Sequence, residues 1–151
     1  MKLEEAIQSN HFRDSTHKAV LNTLYTAWWL KTQLSGVLKP YGLTQEQYNV
    51  MRILKGKFPQ AMCVKDIAGR MIEKGSNVPR IIDRLVAKKW AKRAVDQTDK
   101  RHTVVQLTAS GMDILGKSTN DINRVFDTLL GVNEKEAVQL NALLEKLRKE
   151  G

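Results

Sequence analysis

Apolar side chains recur at helical spacing over most of this chain, and they alternate over one short stretch. Between about Leu3 and Leu38 they fall mostly three or four residues apart, which is the period of a helix. The pattern predicts a long first helix, broken near Ser9–Asn10 and ended by the Gly and Pro residues between positions 36 and 42.

Three later helices begin with residues that are suited to capping. Thr44 with Gln47, and Asn133 with Glu136, have the spacing of a capping box, in which each side chain satisfies a free backbone N–H of the first turn. Thr108 alone precedes another long apolar pattern. We therefore predict helices that start directly after positions 44, 108 and 133.

Two short helices joined by a turn are predicted in the middle of the chain. The first covers about residues 64–72, and Gly75 in the turn is free to adopt a positive φ. The second helix is predicted to start with Ser76 as its cap and to end around Ala87. Pro79 is tolerated because it falls in the first turn, where no intrahelical acceptor is needed.

A two-stranded ribbon is predicted between Trp90 and Leu107, with QTDKRH as its loop. The element order is therefore a long helix, three helices, a ribbon, a long helix and a last helix. The chain reads as one integrated domain, in which helical regions at 1–38 and 109–151 flank a lobe at 39–108.

Composition favours a globular protein with a polyanionic partner. The 151 residues are 42% hydrophobic and 27% charged, with a formal net charge of +9. No apolar run has the length of a membrane span, and the first residues do not resemble a secretory signal. Cys63 is the one cysteine, so no intramolecular disulfide forms, and we expect a cytoplasmic protein without membrane association.

Positive charge is concentrated in one quarter of the chain. Residues 65–102 contain eleven Lys or Arg and five Asp or Glu, a surplus of six out of the total of nine. Such clustering on a helix–turn–helix and a neighbouring loop is typical of DNA-binding proteins. The second helix of such a unit fits the major groove, and a cationic loop tip fits the narrow minor groove.

These residues resemble the MarR family of winged-helix transcription regulators. The matching motifs are S-N-V-x-R-x-x-D-x-L at 76–85, D-x-R at 99–101 and L-T-x-x-G at 107–111. The motif set covers about residues 44–111. The chain departs from the family at Lys89-Trp90, where Gly-Leu or Gly-Ile is usual, and at Pro79, where a polar side chain often reaches toward DNA.

The resemblance implies a mostly α fold with a small β-wing, in which terminal dimerisation helices flank a winged helix-turn-helix. It implies a homodimer on a pseudo-palindromic operator in double-stranded DNA, and more often repression than activation. The helix at about 76–87 would enter the major groove. The wing at 96–103 would enter the minor groove, with Arg101 oriented by Asp99.

We divide the candidate DNA contacts by position. Ser76, Asn77 and Arg80 lie near the helix N-terminus and are best placed for base edges, whereas Lys65 and Lys88 are placed for phosphates. The alternative is that the cations of this helix form a solvated basic face without a binding role. The full candidate set is Thr44, Lys65, Ser76, Asn77, Arg80, Arg84, Lys88, Asp99, Lys100, Arg101 and His102.

A small aromatic or anionic effector is a further expectation from the resemblance. Tyr25, Trp28 and Trp29 are candidates to line its pocket, although aromatic residues at helical spacing more often pack in a core or an interface. Cys63 is either an inert buried thiol or a redox sensor. The segment His11–His17 is too loose for a metal site, and we expect neither metal nor cofactor.

Catalysis is not expected, because the chain has no Gly-rich phosphate loop, no H-E-x-x-H and no nucleophile elbow. Two other functions remain open from the residues. One is a basic helical interaction module that binds an acidic protein, or nucleic acid without reading sequence. The other is a small-molecule or redox sensor whose affinity for DNA is incidental.

Overall fold

The computed structural model describes residues 1–149, which form a mostly helical chain with a small antiparallel sheet. Positions 150 and 151, at the end of the predicted C-terminal helical region, lie outside the described residues. In chain order the elements are α1 (Leu3–Ala6), α2 (Ser15–Leu38), a 3₁₀ helix (Lys39–Tyr41), α3 (Gln45–Lys57), β1 (Met62–Cys63), α4 (Val64–Arg70), α5 (Val78–Ala87), β2 (Ala91–Val95), β3 (Thr103–Leu107), α6 (Ala109–Leu129) and α7 (Glu134–Leu147).

The first helical region is divided as the sequence predicts, and α2 ends at Leu38, within the predicted range of 36–42. Asp14 caps α2, because its carboxylate accepts the backbone N–H of His17 at 2.7 Å. The prediction that Gly36 helps to end this helix is wrong, since α2 continues through it to Leu38. The chain reverses instead at Gly42, whose φ of +68° lies in the left-handed region that glycine tolerates.

The predicted caps of three helices are confirmed. Thr44 Oγ1 accepts the N–H of Gln47 at 3.1 Å, and the Gln47 side chain accepts the N–H of Thr44 at 3.2 Å. Asn133 and Glu136 make the same reciprocal pair at the start of α7. Thr108 Oγ1 accepts the N–H of Gly111 at 3.0 Å at the start of α6. These bonds satisfy N–H groups that a helix leaves free.

The helix–turn–helix is present, with two corrections to its boundaries. The first helix ends at Arg70, two residues earlier than predicted. Asn77 caps α5 instead of Ser76, since Asn77 Oδ1 accepts the N–H of Arg80 at 3.2 Å while the Ser76 hydroxyl donates to the Glu73 carbonyl. The predicted helix therefore begins two residues too early.

Gly75 lies in the turn between α4 and α5, and Pro79 follows it at the start of α5. Gly75 does not use a positive φ; among the glycines within residues 1–149, Gly42 alone does. Pro79 falls in the first turn of α5, as expected, where its missing N–H leaves no bond unmade. The turn between α4 and α5 is thus closed by hydrogen bonds of Ser76 rather than by a left-handed glycine.

The sheet contains the predicted ribbon and a third strand. β2 and β3 pair antiparallel with Ala91 opposite Leu107 and Arg93 opposite Val105. β1 adds to the other edge of β3, so that the strand order is β1-β3-β2. A strand of two residues shows no alternation, which is why the sequence pattern does not reveal it.

One buried apolar cluster joins α5 to its neighbours. Ile82 and Leu85 of α5, Leu54 of α3, Val105 of β3 and Leu115 of α6 all belong to it. The opposite side of α5 faces solvent. Within residues 1–149, each helix falls short of what a bilayer crossing requires in length, in apolar character or in both.

The end of α5, the start of β2 and the start of α6 meet at one close contact. A Cβ on Gly111 would lie 2.0 Å from the carbonyl oxygen of Trp90, so that only glycine permits this approach. Thr108 reinforces the contact, since its N–H donates to the Trp90 carbonyl at 3.1 Å and its hydroxyl donates to the Lys89 carbonyl at 2.7 Å. The L-T-x-x-G motif therefore has a packing role.

Replacing Gly111 by alanine is expected to lower the free energy of unfolding by about 3 kcal/mol or more, because both sides of the contact are backbone. Urea unfolding of Gly111→Ala measures this. Gly56→Ala is the matched control, because no atom lies within 4 Å of its would-be Cβ and helical alanine is favoured by about 0.5–1 kcal/mol. Equal stability of Gly111→Ala and the parent would contradict the packing role.

Candidate nucleic-acid interface

The exposed side of α5 forms the centre of a polar surface. Its first turn carries Asn77 and Arg80, and Arg84 follows one turn later, all three exposed. Together with Thr44 and Ser76 they line a shallow depression of about 250 Å³. The structure therefore brings five of the predicted contacts to one surface, at the junction of α3 and α5.

The same depression contains residues that sequence reasoning did not select. Glu46, in the first turn of α3, lines it beside Gln47 and Ile81. Glu46 places a carboxylate next to the arginine-bearing helix, and carboxylates accept hydrogen bonds from the amino group of cytosine in the major groove. Its position two residues after the Thr44 cap was a signal that could have identified it.

The wing is a hairpin whose tip is ordered by aspartates. Asp96 accepts the backbone N–H of Thr98 at 2.9 Å and its hydroxyl at 2.8 Å. The backbone N–H of Asp96 donates to the carbonyl of His102, and that of His102 donates to the carbonyl of Asp99. The tip is therefore a closed, hydrogen-bonded loop with a defined shape.

Arg101 is held by Asp99 through three hydrogen bonds. Its Nε donates to Oδ1 at 2.9 Å, its Nη2 donates to Oδ2 at 2.8 Å, and its backbone N–H donates to Oδ1 at 3.1 Å. The Arg101 side chain is nevertheless 86% exposed. A two-point contact of this kind fixes the plane of the guanidinium while leaving it accessible.

The pair at the wing tip changes the titration of both groups. The Arg101 guanidinium lowers the pKa of Asp99 below its ordinary value, and the carboxylate raises the pKa of Arg101. His102 Nε2 lies 3.4 Å from the same carboxylate, and the exposed Lys100 adds a further cation to the tip. The tip thus carries a preformed cluster of charge.

A second contact ties the wing to the helix. Arg93 of β2 donates to the Asp83 carboxylate of α5, an ion pair that sequence reasoning did not identify. The two residues are ten apart in the chain, so that no local pattern signals their contact. The ribbon and the helix are therefore linked by this pair as well as by the apolar core.

Two predicted phosphate contacts occupy different settings. Lys65 is exposed in the first turn of α4. Lys88 lies at the C-terminus of α5, and its ammonium donates to the Gly42 carbonyl and stands 4.7 Å from the centroid of the Trp90 ring. Both residues are exposed, and the ammonium of Lys88 is held by partners within the protein.

The candidate effector residues all lie on α2. The rings of Tyr25 and Trp28 are 5.4 Å apart, Trp28 is 58% exposed and Trp29 is half-buried. A cavity of about 470 Å³ lies further along, between the end of α2 and the start of α3, with Lys31 and Lys39 in its lining. The aromatic pocket stays a prediction.

The remaining candidate sites are Cys63 and the segment His11–His17. Cys63 is half-buried as the N-cap residue of α4, and a redox role for it stays a prediction. Asp14 caps α2 and pairs with Arg13, which accounts for its place in the histidine-containing segment. Across residues 1–149, no three His, Cys, Asp or Glu side chains come together as metal ligands would.

Comparison with known proteins gives one curated relative and many similar folds. No protein-family model matches the chain. The HTH-type transcriptional regulator PecS of Dickeya dadantii is 25% identical over 118 residues, which are 77% of this chain and 71% of PecS. The curated relative that this chain resembles is therefore a helix-turn-helix transcription regulator.

Solved structures agree with this match. The MepR–DNA complex of S. aureus is 25% identical with a TM-score of 0.74, and the match covers 91% of this chain and 97% of MepR. MarR of E. coli in its apo form is 22% identical with a TM-score of 0.64, covering 83% and 93%. BpsR of Bordetella bronchiseptica is 20% identical with a TM-score of 0.75, covering 95% and 100%. The predicted winged-helix fold and the resemblance to the MarR family are thereby confirmed.

The wing-tip pair gives a titration that can be measured. We expect Asp99 to have a pKa below 3.8 in the folded protein, and Arg101→Ala to return it toward that value, because the guanidinium favours the charged carboxylate. A depressed pKa means that the pair is intact above the ordinary value and is lost as pH falls through the folded one. Carboxyl-detected NMR of Asp99 measures this.

Asp96 is the internal control for that titration. Its pKa is lowered chiefly by hydrogen bonds from Thr98, so that Arg101→Ala should leave it in place. An Asp99 pKa that is the same in the parent and in Arg101→Ala would show that the pair does not form in solution.

Proposed function

On the premise that this chain is a winged-helix protein of the MarR type, we propose that it is a dimeric, sequence-specific DNA-binding transcription regulator that acts as a repressor. The observation that carries the proposal is the wing tip, where Asp99 holds an exposed Arg101 in a fixed orientation. A rigid cationic tip beside an arginine-bearing helix fits adjacent grooves of duplex DNA.

The arrangement of α5 supports a role in reading bases in the major groove. Val78, Ile82 and Leu85 anchor one side of the helix in the core, so that its opposite side is held outward. Arg80 lies in the first turn, the part of a recognition helix that contacts base edges. Arginine binds the O6 and N7 atoms of guanine with two hydrogen bonds, which gives sequence preference.

The wing supports a second contact in the neighbouring minor groove. Arg101 would enter the groove, while Lys100 and His102 lie at its phosphate rim. Thr44 at the N-terminus of α3 and Lys65 on α4 would bind phosphates, where a helix N-terminus and a free ammonium are both favourable. These contacts set the position of α5 rather than its base preference.

A second copy of the chain is the partner that the terminal helices need. None of the described α7 residues, 134–147, is buried. Among them, the apolar side chains of Val138 and Leu143 are 60% and 64% exposed. An apolar groove of about 790 Å³ runs between α2 and α7. Burying such surface gains about 25 cal/mol per Å², which favours dimerisation through residues 1–38 and 109–151.

Dimerisation places two copies of the lobe, residues 39–108, on one side of a pseudo-palindromic operator. Two recognition helices about one helical turn apart, ~34 Å, would enter successive major grooves. A change in that separation prevents simultaneous engagement. A coupling of about 1–3 kcal/mol would then change the affinity 5- to 150-fold.

A small aromatic or anionic effector is included in the proposal as the source of that coupling. DNA binding by BpsR is regulated by 6-hydroxynicotinic acid. In this chain the candidates are Tyr25, Trp28 and Trp29, together with the cavity beside Lys31 and Lys39. The protein would act in the cytoplasm, where its DNA lies. A basic interaction module that ignores sequence is the alternative, and the clustering of contacts around α5 argues against it.

Two arginine variants separate the groove contacts. Arg101→Ala should weaken binding to every duplex and reduce the slope of log affinity against log salt by about 0.9, because a cationic contact is lost. Arg80→Ala should instead relax preference at one base, by about 1–3 kcal/mol. Binding-site selection and salt titration by fluorescence anisotropy measure both effects.

Arg13→Ala serves as the control for these two variants, because Arg13 is an exposed arginine outside the proposed interface. Unchanged affinity of Arg101→Ala would show that the wing assignment is wrong. Equal affinity of the parent protein for random and selected duplexes would favour the non-specific alternative.

Leu143→Asp is expected to dissociate the dimer, because a carboxylate in an apolar interface loses its hydration without gaining a partner. Sedimentation equilibrium should give the monomer mass, and binding to a two-half-site operator should be lost. Ile72→Asp is the control, since Ile72 is 82% exposed in the turn between α4 and α5, outside the terminal helices. A dimeric Leu143→Asp protein would exclude α7 from the interface.

A further inference from the structure

Lys88 lies where α5 ends and the chain turns into the wing. Its backbone N–H donates to the Arg84 carbonyl at 3.1 Å, as that of the C-cap residue directly after the helix. Lys89 then adopts a left-handed φ of +62°. The N–H of Lys89 donates to the Val86 carbonyl, and that of Trp90 donates to the Leu85 carbonyl. This paired ending reverses the chain and fixes Trp90 relative to the helix.

The reversal brings the Trp90 ring next to the Lys88 side chain. The ammonium of Lys88 lies 4.7 Å from the ring centroid, within the distance at which a cation is attracted to an indole face. Trp90 is itself half-buried, and it packs against the central apolar cluster. The ring is therefore a fixed surface that restricts where the Lys88 side chain lies.

The other partner of the Lys88 ammonium is the carbonyl of Gly42. Gly42 follows the 3₁₀ helix at the end of α2, and Leu43 and Thr44 lead from it into α3. A would-be Cβ on Gly42 would lie 3.6 Å from Lys88 Nζ, which shows how closely the two segments approach. One ammonium thus connects the C-terminus of the recognition helix to the segment where the chain leaves the long α2 helix.

We propose that Lys88 is a positioning residue for DNA binding, which holds α5 at a fixed angle to α2 through Gly42 and Trp90 instead of contacting a phosphate. The proposal rests on the proposed function, since it concerns how that function is performed. The Gly42 carbonyl uses one of the three N–H donors of the ammonium, and the Trp90 face attracts the same charge, so that a phosphate would have to compete with both partners. The charge-assisted hydrogen bond and the aromatic face together favour the position of the exposed ammonium between Gly42 and Trp90.

The two roles predict different responses to salt and to a neutral change. If Lys88 positions the helix, Lys88→Ala should reduce operator affinity on the order of tenfold while the salt slope stays near that of the parent. Trp90→Leu should reproduce much of this loss without removing any charge, and the double variant should lose little more than either one. Lys88→Arg and Trp90→Phe should retain most of the affinity.

Lys65→Ala is the matched comparison, because Lys65 is the exposed lysine assigned to a phosphate. Its loss should reduce the salt slope by about 0.9, as one released counterion predicts. A similar reduction of slope in Lys88→Ala, with Trp90→Leu binding normally, would overturn the positioning role. Unchanged affinity in Lys88→Ala would overturn it as well. Thermal unfolding of each variant excludes a loss of fold as the cause.

A measurement without DNA tests the contact itself. In the free protein, NMR should show the ε-methylene protons of Lys88 shifted upfield by the Trp90 ring, and Trp90→Leu should abolish the shift. Ordinary shifts in the parent would overturn the proposal whatever the DNA results. If the parent showed the upfield shift but bound no duplex at all, the proposed function would fail, and the DNA role of Lys88 with it.

Discussion

The architecture depends on the close approach of two backbone segments at Gly111. The Trp90 carbonyl occupies the space that a Cβ at position 111 would need, and it also accepts the N–H of Thr108. Three elements end or begin within this contact: α5 ends at Ala87, β2 begins at Ala91 and α6 begins at Ala109. Because backbone atoms cannot rotate away as side chains do, the contact sets the helix, the wing and the return helix in one arrangement.

Around this fixed point, polar contacts join the winged helix-turn-helix lobe to the long helices. Tyr41, after α2, donates to the Asp121 carboxylate of α6, which raises the pKa of Tyr41. The hydroxyl groups of Tyr48 in α3 and Thr119 in α6 lie 2.8 Å apart. With Lys88 on Gly42, these contacts surround the short segment between α2 and α3. In the proposed dimer, the contacts around this segment would therefore determine whether the distance between the two lobes can change.

Sequence reasoning located most elements because their signals are local. The caps at Thr44, Thr108 and Asn133 involve residues three apart, and such short-range bonds follow directly from residue type. Ser76 and Asn77 are both good cap residues, and sequence alone does not decide between them. The structure does, because the hydroxyl of Ser76 is used by the preceding turn.

The parts that sequence reasoning missed are contacts between distant positions. β1 is too short for a periodic pattern, and the Asp83–Arg93 pair needs the ribbon to fold beside α5. The sequence shows the charge of Lys88, but it does not show that the ammonium contacts the Gly42 carbonyl and the Trp90 ring. Charge counts predict which surface is basic, whereas three-dimensional contacts decide which cations remain free to bind.

The proposed function raises the question of why an arginine that would enter a DNA groove should be paired with an aspartate. A guanidinium has five N–H donors, and Asp99 uses Nε and one from Nη2, so that three remain for an acceptor outside the protein. The pairing cancels part of the charge, but it also removes rotational freedom that DNA binding would otherwise have to remove. The exposed Lys100 supplies a further positive charge nearby. The pair therefore weakens the electrostatic attraction between Arg101 and DNA, but it fixes the orientation of the guanidinium. A fixed orientation would favour entry into a groove as narrow as the minor groove.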